Sequence, residues 1–425
     1  SKKTTNLTEG MMGYDTNPQY SKEGVLAWLS MAHNGNESDK NDLYILKNGK
    51  RINLTAQWDN TIFSYRWSND GKRIYLIAPT QGTEQLFVVD VYSKNTTPIQ
   101  LTQGVFDVNS IVGQAGDQLV VIRTDMNHAA ELYTISLKEK KKEYLSLTQL
   151  SHFNDEQYKQ IAQCPIKERI IKTTDGKDMH AWVIYPPDFD PNKKYPTLLY
   201  CQGGPQSIVS QFYSFRWNFQ LMASQGYIVI APNRRGLPGF GVEWNAQISG
   251  DWGGQPMRDY LSAIDDIAKE PYVDKDRLGA VGASYGGYSI YYLAGIHQKR
   301  FKTFIAHCGV FNLESMYGTT EELFFNNNEI GGAYWEERNA VAQKSYKEFN
   351  PIKKINNWDT PILIIHGGKD YRVPEEQGFQ AFTAAQLKGI RSELLYFPDE
   401  NHWVLQPQNG LLWQRTFFKW LKETL

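Results

Sequence analysis

The first 150 residues repeat themselves. Three segments, PQYSKEGVLAWLS (18–30), YRWSNDGKRIYLIA (65–78) and IVGQAGDQLVVIR (111–123), each set a polar turn ending in glycine before an apolar strand. The glycines Gly24, Gly71 and Gly116 are 47 and 45 residues apart. A second strand follows in each repeat, DLYIL (42–46), QLFVVDV (85–91) or ELYTISL (131–137). Each repeat then closes on a Leu-Thr pair, Leu54-Thr55, Leu101-Thr102 or Leu147-Thr148, spaced by 47 and 46. Period-2 apolar patterning within a repeat of ~40–50 residues is what a β-propeller blade of four short strands requires. One such unit could belong to a β-sandwich, but three in register favour blades. Closed propellers have about 4–8 blades, so three predict an arc, with further blades expected ahead of Ser1. The run KEKKKE (138–143) falls between strands of the third repeat and is expected to be a solvated hairpin tip.

The pattern changes near residue 160, which divides the chain into an all-β region (1–160) and a second domain (161–425). Continuous apolar runs appear at TLLYC (197–201), YIVIA (227–231), RLGAVG (277–282), TFIAHC (303–308), PILIIH (361–366) and LLYF (394–397). Helical stretches lie between and after them, including MRDYLSAIDDIA (257–268), YSIYYLAGIH (288–297), GFQAFTAAQLK (378–388) and LLWQRTFFKWLKETL (411–425). Strands buried on both faces read as unbroken apolar runs. The second domain is therefore expected to be a doubly wound, mostly parallel α/β sheet. No apolar run reaches the ~18 residues of a membrane span. With 45 Lys+Arg against 46 Asp+Glu, no basic footprint for nucleic acid is present. Cys164, Cys201 and Cys308 are far apart and form no CxxC, which argues against a disulfide scaffold and a cysteine-based zinc site.

GASYGGY (282–288) follows one of these strands and precedes a helix. A serine on a sharp strand-to-helix turn stands exposed at the sheet edge, and only small neighbours at Gly282 and Gly286 let strand and helix approach closely. Ser284 is thereby the candidate nucleophile. A hydroxyl needs a base and an acid to orient that base, in chain order Ser, Asp/Glu, His for this arrangement. Asp370 follows the strand PILIIH, 86 residues after the serine, and His402 follows LLYF, 32 residues later. His366 ends a strand before the acid and is read as structural. His297 is expected on a helix surface, and Asp399 and Glu400 are expected to be solvated charges. QGGPQS (202–207) after TLLYC supplies a glycine-rich turn for an oxyanion hole, with the Tyr285 amide as its partner donor. HExxH, a Walker loop and GxGxxG are absent, so no metal or cofactor is expected.

Taken together, QGGPQS, NRRGLPGFG (233–241), GASYGGY, HGGKDYRVP (366–374) and DENHWV (399–404) resemble the prolyl oligopeptidase family of serine peptidases, and within it the bacterial dipeptidyl peptidases. The resemblance implies an N-terminal β-propeller before an α/β-hydrolase domain, and peptide substrates. It implies Ser284 as nucleophile, Asp370 as acid and His402 as base, and it matches Arg372 to an arginine that holds a substrate carbonyl. Gln202 stands where the family often has a Tyr or His oxyanion donor. FNLESMYGTTEELFF (311–325) lies where the family builds its specificity pocket. Tyr285, Met316, Tyr317, Leu323 and Phe324 are expected to line that pocket, and Glu321 or Glu322 to meet a substrate amine. Release of N-terminal dipeptides is the favoured activity. Acylaminoacyl peptidase, oligopeptidase and carboxylic ester hydrolase are the alternatives. A homodimer is left open, and export to a periplasm is suggested by the resemblance alone.

Overall fold

The computed structural model describes residues 4–138 and 143–425, so most of the KEKKKE run lies outside the described residues. The chain forms two compact units. One comprises the chain as far as Glu156, joined by Ser210–Phe212 and Pro238–Ala246, and the other comprises the rest. The two short insertions contribute to the β unit although they lie far along the chain. Asn245, for example, donates to the Ser38 carbonyl at 2.6 Å.

The β unit contains three four-stranded antiparallel sheets. The first runs β1 (Asp15–Tyr20), β2 (Leu26–Ser30), β3 (Asp42–Lys47), β4 (Lys50–Asn53). The second runs β5 (Ser64–Trp67), β6 (Arg73–Thr80), β7 (Thr83–Asp90), β8 (Ile99–Gln100). The third runs β9 (Asp107–Ala115), β10 (Gln118–Asp125), β11 (His128–Ser136), β12 (Leu147–Gln149). Each is an up-and-down meander, the topology of a propeller blade. The repeated glycines take φ of 80°, 65° and 57° in the turns before the second strand of each sheet, a conformation that side chains resist.

The Leu-Thr signature has a physical cause. Thr55 Oγ1 accepts from the Leu43 amide (2.9 Å) and donates to Asp42 Oδ1 (2.7 Å). Thr102 Oγ1 accepts from the Leu86 amide (2.9 Å) and donates to Gln85 Oε1 (2.8 Å). The hydroxyl thus extends the pairing between the third and fourth strands just past the end of the fourth. In the third sheet that position is Ser151, whose Oγ accepts from the Leu132 amide at 2.8 Å and donates to Glu131. The repeat pair is therefore Leu150-Ser151. Leu147-Thr148, which the spacing suggests, is one strand-end too early, inside β12.

The second unit is built on an eight-stranded sheet of order β13-β14-β16-β15-β17-β18-β19-β20. Its strands are β13 (Ile166–Lys172), β14 (Asp178–Ile184), β15 (Tyr195–Cys201), β16 (Ile228–Pro232), β17 (Val273–Ala283), β18 (Thr303–His307), β19 (Ile362–Gly367) and β20 (Ser392–Phe397). All pairings from β16 through β20 are parallel, and β13 and β14 are antiparallel. Strands β15 to β19 are largely buried, as their apolar runs predict. The helix Tyr285–Ala294 is buried along its whole length. The final helix, Pro407–Thr424, buries Trp413, Phe417 and Trp420 and anchors itself to β18 through Trp420 Nε1 donating to Thr303 Oγ1 at 2.8 Å. Among the described residues no helix is long and apolar enough to cross a membrane.

Candidate active site

Parallel strands deliver the loops beyond their C-terminal ends to one edge of the sheet, where open α/β sheets collect ligands and reacting groups. Ser284 follows β17, Asp370 follows β19 and His402 follows β20. Ser284 has φ 61° and ψ −122°, a sparsely populated conformation for a residue with a side chain. Its amide donates to the His307 carbonyl at 3.0 Å, which ties the turn to β18. A Cβ at Gly286 would lie 2.0 Å from the Cys201 carbonyl oxygen, and one at Gly282 would lie 2.7 Å from it. Both positions accept only glycine at this strand-helix approach, as GxSxG predicts.

Asp370 is buried and fully engaged. Oδ1 accepts from the amides of Arg372 (3.1 Å) and Val373 (2.9 Å), and Oδ2 accepts from His402 Nδ1 at 2.6 Å. This fixes the His402 tautomer, leaving the Nε2 lone pair directed away from Asp370. Burial opposes a charge on His402, but Cys308 and the Asp370 carboxylate outweigh it and raise its proton affinity above that of an ordinary imidazole. Nε2 lies 3.8 Å from Cys308 Sγ, and the Ser284 hydroxyl makes no hydrogen bond to the ring among the described residues. Catalytic contacts are often long before substrate binds. His366 donates from Nε2 to the Val373 carbonyl at 2.8 Å, bracing the Asp370 loop in the structural role expected of it.

The Tyr285 amide opens a helix and has no partner within it. Its side chain is buried, with the hydroxyl donating to the Trp252 carbonyl at 2.7 Å. The Gln202 side chain is committed to its own loop. Its Oε1 accepts from the Tyr200 hydroxyl (2.7 Å), and its Nε2 donates to Ser207 Oγ (3.3 Å) and the Ile208 carbonyl (3.2 Å).

The expected substrate residues divide into three groups. Arg372, Glu321 and Glu322 come together: Arg372 Nε lies 2.8 Å from Glu322 Oε1, and Nη2 lies 3.7 Å from Glu321 Oε1. Backbone bonds hold this arrangement, from Glu321 N to Tyr371 O (2.9 Å) and from Thr320 Oγ1 to Arg372 O (2.8 Å). Met316 and Tyr317 are buried on the helix Leu313–Thr319, with the Tyr317 hydroxyl on Asn327 Oδ1 at 2.7 Å. Leu323 and Phe324 are exposed.

Several residues around the site were not foreseen. Trp403 lies under the Arg372 guanidinium, 5.2 Å from ring centroid to Cζ, and meets the His402 ring edge-on. Arg216 Nη1 donates to the His402 carbonyl at 3.0 Å. Cys308, just past β18, takes φ 41°. Glu400 corrects an expectation, because it is 2 % exposed rather than solvated. Its carboxylate accepts from the amides of Leu405 (2.8 Å) and Gln406 (3.0 Å) and from Asn409 Nδ2 (2.7 Å), so it shapes the loop that carries His402. Asp399 is exposed and pairs with Lys369 at 3.0 Å, as expected. His297 is likewise buried, not on a surface. Its Nδ1 accepts from the Phe301 amide at 3.2 Å, so the ring closes the turn after the helix Tyr285–Ala294.

The strand order, the elbow after β17 and the loops after β19 and β20 define an α/β-hydrolase with a serine, histidine and aspartate at one sheet edge. Residues 213–425 match the prolyl oligopeptidase family, and residues 28–178 match the dipeptidyl peptidase IV N-terminal region. The chain belongs to the prolyl oligopeptidase family. It is 50 % identical to dipeptidyl-peptidase 5 of Porphyromonas gingivalis over all of this chain and 61 % of that protein. It is 33 % identical to dipeptidyl-peptidase 5 of Schizosaccharomyces pombe over 96 % of this chain and 59 % of that one. The chain thus spans about three-fifths of these relatives' length. Among solved structures, acylaminoacyl peptidase of Pyrococcus horikoshii is similar with a TM-score of 0.83 at 21 % identity, over 94 % of this chain and 62 % of that one. Dipeptidyl peptidase 4 of Porphyromonas gingivalis is similar with a TM-score of 0.76 at 21 % identity, over 96 % and 56 %. At such identity these structures speak for the fold alone.

Proposed function

We propose that this chain carries the catalytic machinery of a serine peptidase that releases dipeptides from free N-termini. The observation that carries the reading is Asp370 holding His402 Nδ1 at 2.6 Å behind a serine on a strained elbow. His402 Nε2 takes the proton of Ser284 as its oxygen attacks the peptide carbonyl. Asp370 stabilises the imidazolium, which then protonates the leaving amine. Water enters, and the same base directs it onto the acyl-enzyme. The Tyr285 amide and the backbone of the Gln202 loop stabilise the oxyanion, since the Gln202 side chain is already bonded elsewhere. One such donor is worth about 3–4 kcal/mol.

Arg372 holds a substrate carbonyl through its fork of donors, and the Glu321-Glu322 pair beside it provides negative charge for a substrate ammonium. That pairing favours a dipeptidyl peptidase over an ester hydrolase, which needs neither group. The names of the relatives at 50 % and 33 % identity point the same way, whereas acylaminoacyl peptidase activity is the second reading.

The test is hydrolysis of two chromogenic dipeptide amides that differ only in N-terminal acetylation, by the parent and by Ser284→Ala. Turnover of the free-amine substrate alone, lost in the variant by ~10⁴ or more, is the expected result. Turnover confined to the acetylated substrate would replace the reading with an acylaminoacyl peptidase. A variant rate within tenfold of the parent would remove Ser284 from the mechanism.

A further inference from the structure

No CxxC pair exists in this chain, and spacing gave no hint of a metal site. The fold nonetheless brings Cys308 and His402, 94 residues apart, to an Sγ–Nε2 separation of 3.8 Å. With metal bonds of ~2.3 Å to sulfur and ~2.0–2.1 Å to nitrogen, a tetrahedral ion would hold these two atoms about 3.6 Å apart. The pair therefore already stands at bridging distance. Cys308 Sγ, a His402 ring nitrogen and an Asp370 oxygen all lie within 4.8 Å of one another. Asp370 bonds Nδ1, the nitrogen that faces away from the sulfur, so it acts as the outer carboxylate that orients a metal-binding imidazole. The positive φ of Cys308 and its amide bond to the Ile365 carbonyl at 2.8 Å fix where the thiol stands. Cys308 and His402 are buried, and Ser284, the neighbouring elbow residue, is only partly buried.

We propose that Cys308 Sγ and His402 Nε2 form an inhibitory site for a thiophilic divalent cation, Zn²⁺ or Cd²⁺. On binding, the thiol proton leaves to solvent as the metal-sulfur bond forms, and the metal occupies the Nε2 lone pair that would otherwise receive the serine proton. Hard cations such as Mg²⁺ and Ca²⁺ prefer oxygen and do not compete for this donor pair. Metal binding itself is independent of the activity assigned above, whereas the inhibition rests on that reading.

The experiment titrates Cd²⁺ into the full chain and follows thiolate-to-cadmium charge-transfer absorption, in the parent, in Ser284→Ala and in both Cys308→Ala and Cys308→Ser. Buried Cys164 and Cys201 remain in every variant as internal controls. Expected is one equivalent with the absorption band in the parent and in Ser284→Ala, and loss of the band in both Cys308 variants. Absence of the band in the parent, or its persistence without Cys308, overturns the site. In parallel, Zn²⁺ should reduce parental turnover reversibly, with recovery on adding a chelator. A folded Cys308 variant should need at least about tenfold more Zn²⁺ for the same fractional loss. Equal sensitivity of parent and variants refutes the inhibitory role even if Cd²⁺ binds. A band in a chain that hydrolyses neither dipeptide amide would keep the metal site and discard the peptidase reading.

Discussion

Replacing Glu400 with alanine should damage the protein in two separable ways. The carboxylate accepts three hydrogen bonds, from the Leu405 and Gln406 amides and from Asn409 Nδ2, at 2.7–3.0 Å. Hydrogen bonds to a charged group contribute about 1.5–3 kcal/mol each, and a buried donor left unpaired costs about 1–3 kcal/mol. Leu405 is exposed, so water can reach part of this loop and the lower end of the range applies, giving about 3 kcal/mol in all. For a cooperative unit of roughly 250 residues that is a fall in Tm of about 6–12 °C. Catalysis should fall further than stability suggests. His402 lies two residues from Glu400, and misplacing a reacting group by ~1 Å can cost ~10² in rate. The assay is thermal unfolding together with kcat/KM for a dipeptide amide, measured well below the variant's Tm. Asp399→Ala is the control, because its exposed pair with Lys369 is worth at most about 1 kcal/mol. If Glu400→Ala matched Asp399→Ala in both Tm and kcat/KM, the claim that Glu400 shapes the His402 loop would be wrong.

The pH profile follows from the raised proton affinity of His402. The base works only when neutral, so kcat/KM should rise with pH through a value above the ~6.5 of a free imidazole; an acidic limb below pH 6 would contradict the environment described for the ring. Arg372→Ala should lower kcat/KM for dipeptide amides by about tenfold or more while sparing a small acyl ester, and equal loss on both would deny the arginine a role in holding the peptide. In the β unit, Ser151→Ala removes a half-buried acceptor that serves the Leu132 amide and should cost about 1–2 kcal/mol, whereas Thr148→Ala should cost less than about 0.5 kcal/mol. Denaturant midpoints of the two variants in the wrong order would restore Leu147-Thr148 as the repeat pair.

Ser284, Asp370 and His402 could be singled out from the sequence because each follows an apolar run that reads as a strand of the sheet, even though the last of these strands, β20, is only partly buried. Chain order and strand-end position are both visible without coordinates. The repeat was legible for a similar reason, since a glycine in a left-handed turn and a strand pattern recur at a fixed period. What failed was the third hydroxyl. Leu-Thr is a weak signature, and the fold selects by hydrogen-bonding position, so Ser151 takes the place that Thr55 and Thr102 hold. The antiparallel strands β13 and β14 were not singled out either. Four of the seven residues of β13 are exposed, so it lacks the unbroken apolar run that marked its neighbours.

Asp399 and Glu400 show where local reading stops. They are adjacent acids in one loop, chemically alike, and nothing in PDENHW separates them. One points to solvent and meets a lysine, while the other turns inward because the chain entering the final helix presents two backbone amides and Asn409 to it. The unpaired amides at a helix start demand an acceptor, and the only sign of this in the sequence is Pro407, a residue favoured in the first helical turn. Cys308 is the same case at longer range. Its thiol matters through an imidazole 94 residues away, and that juxtaposition exists only once β18 and β20 both flank β19 in the sheet. Residues whose role is fixed by strand ends are therefore found from sequence, whereas residues whose role is fixed by which donors and acceptors the packed loops bring together are found only from the fold.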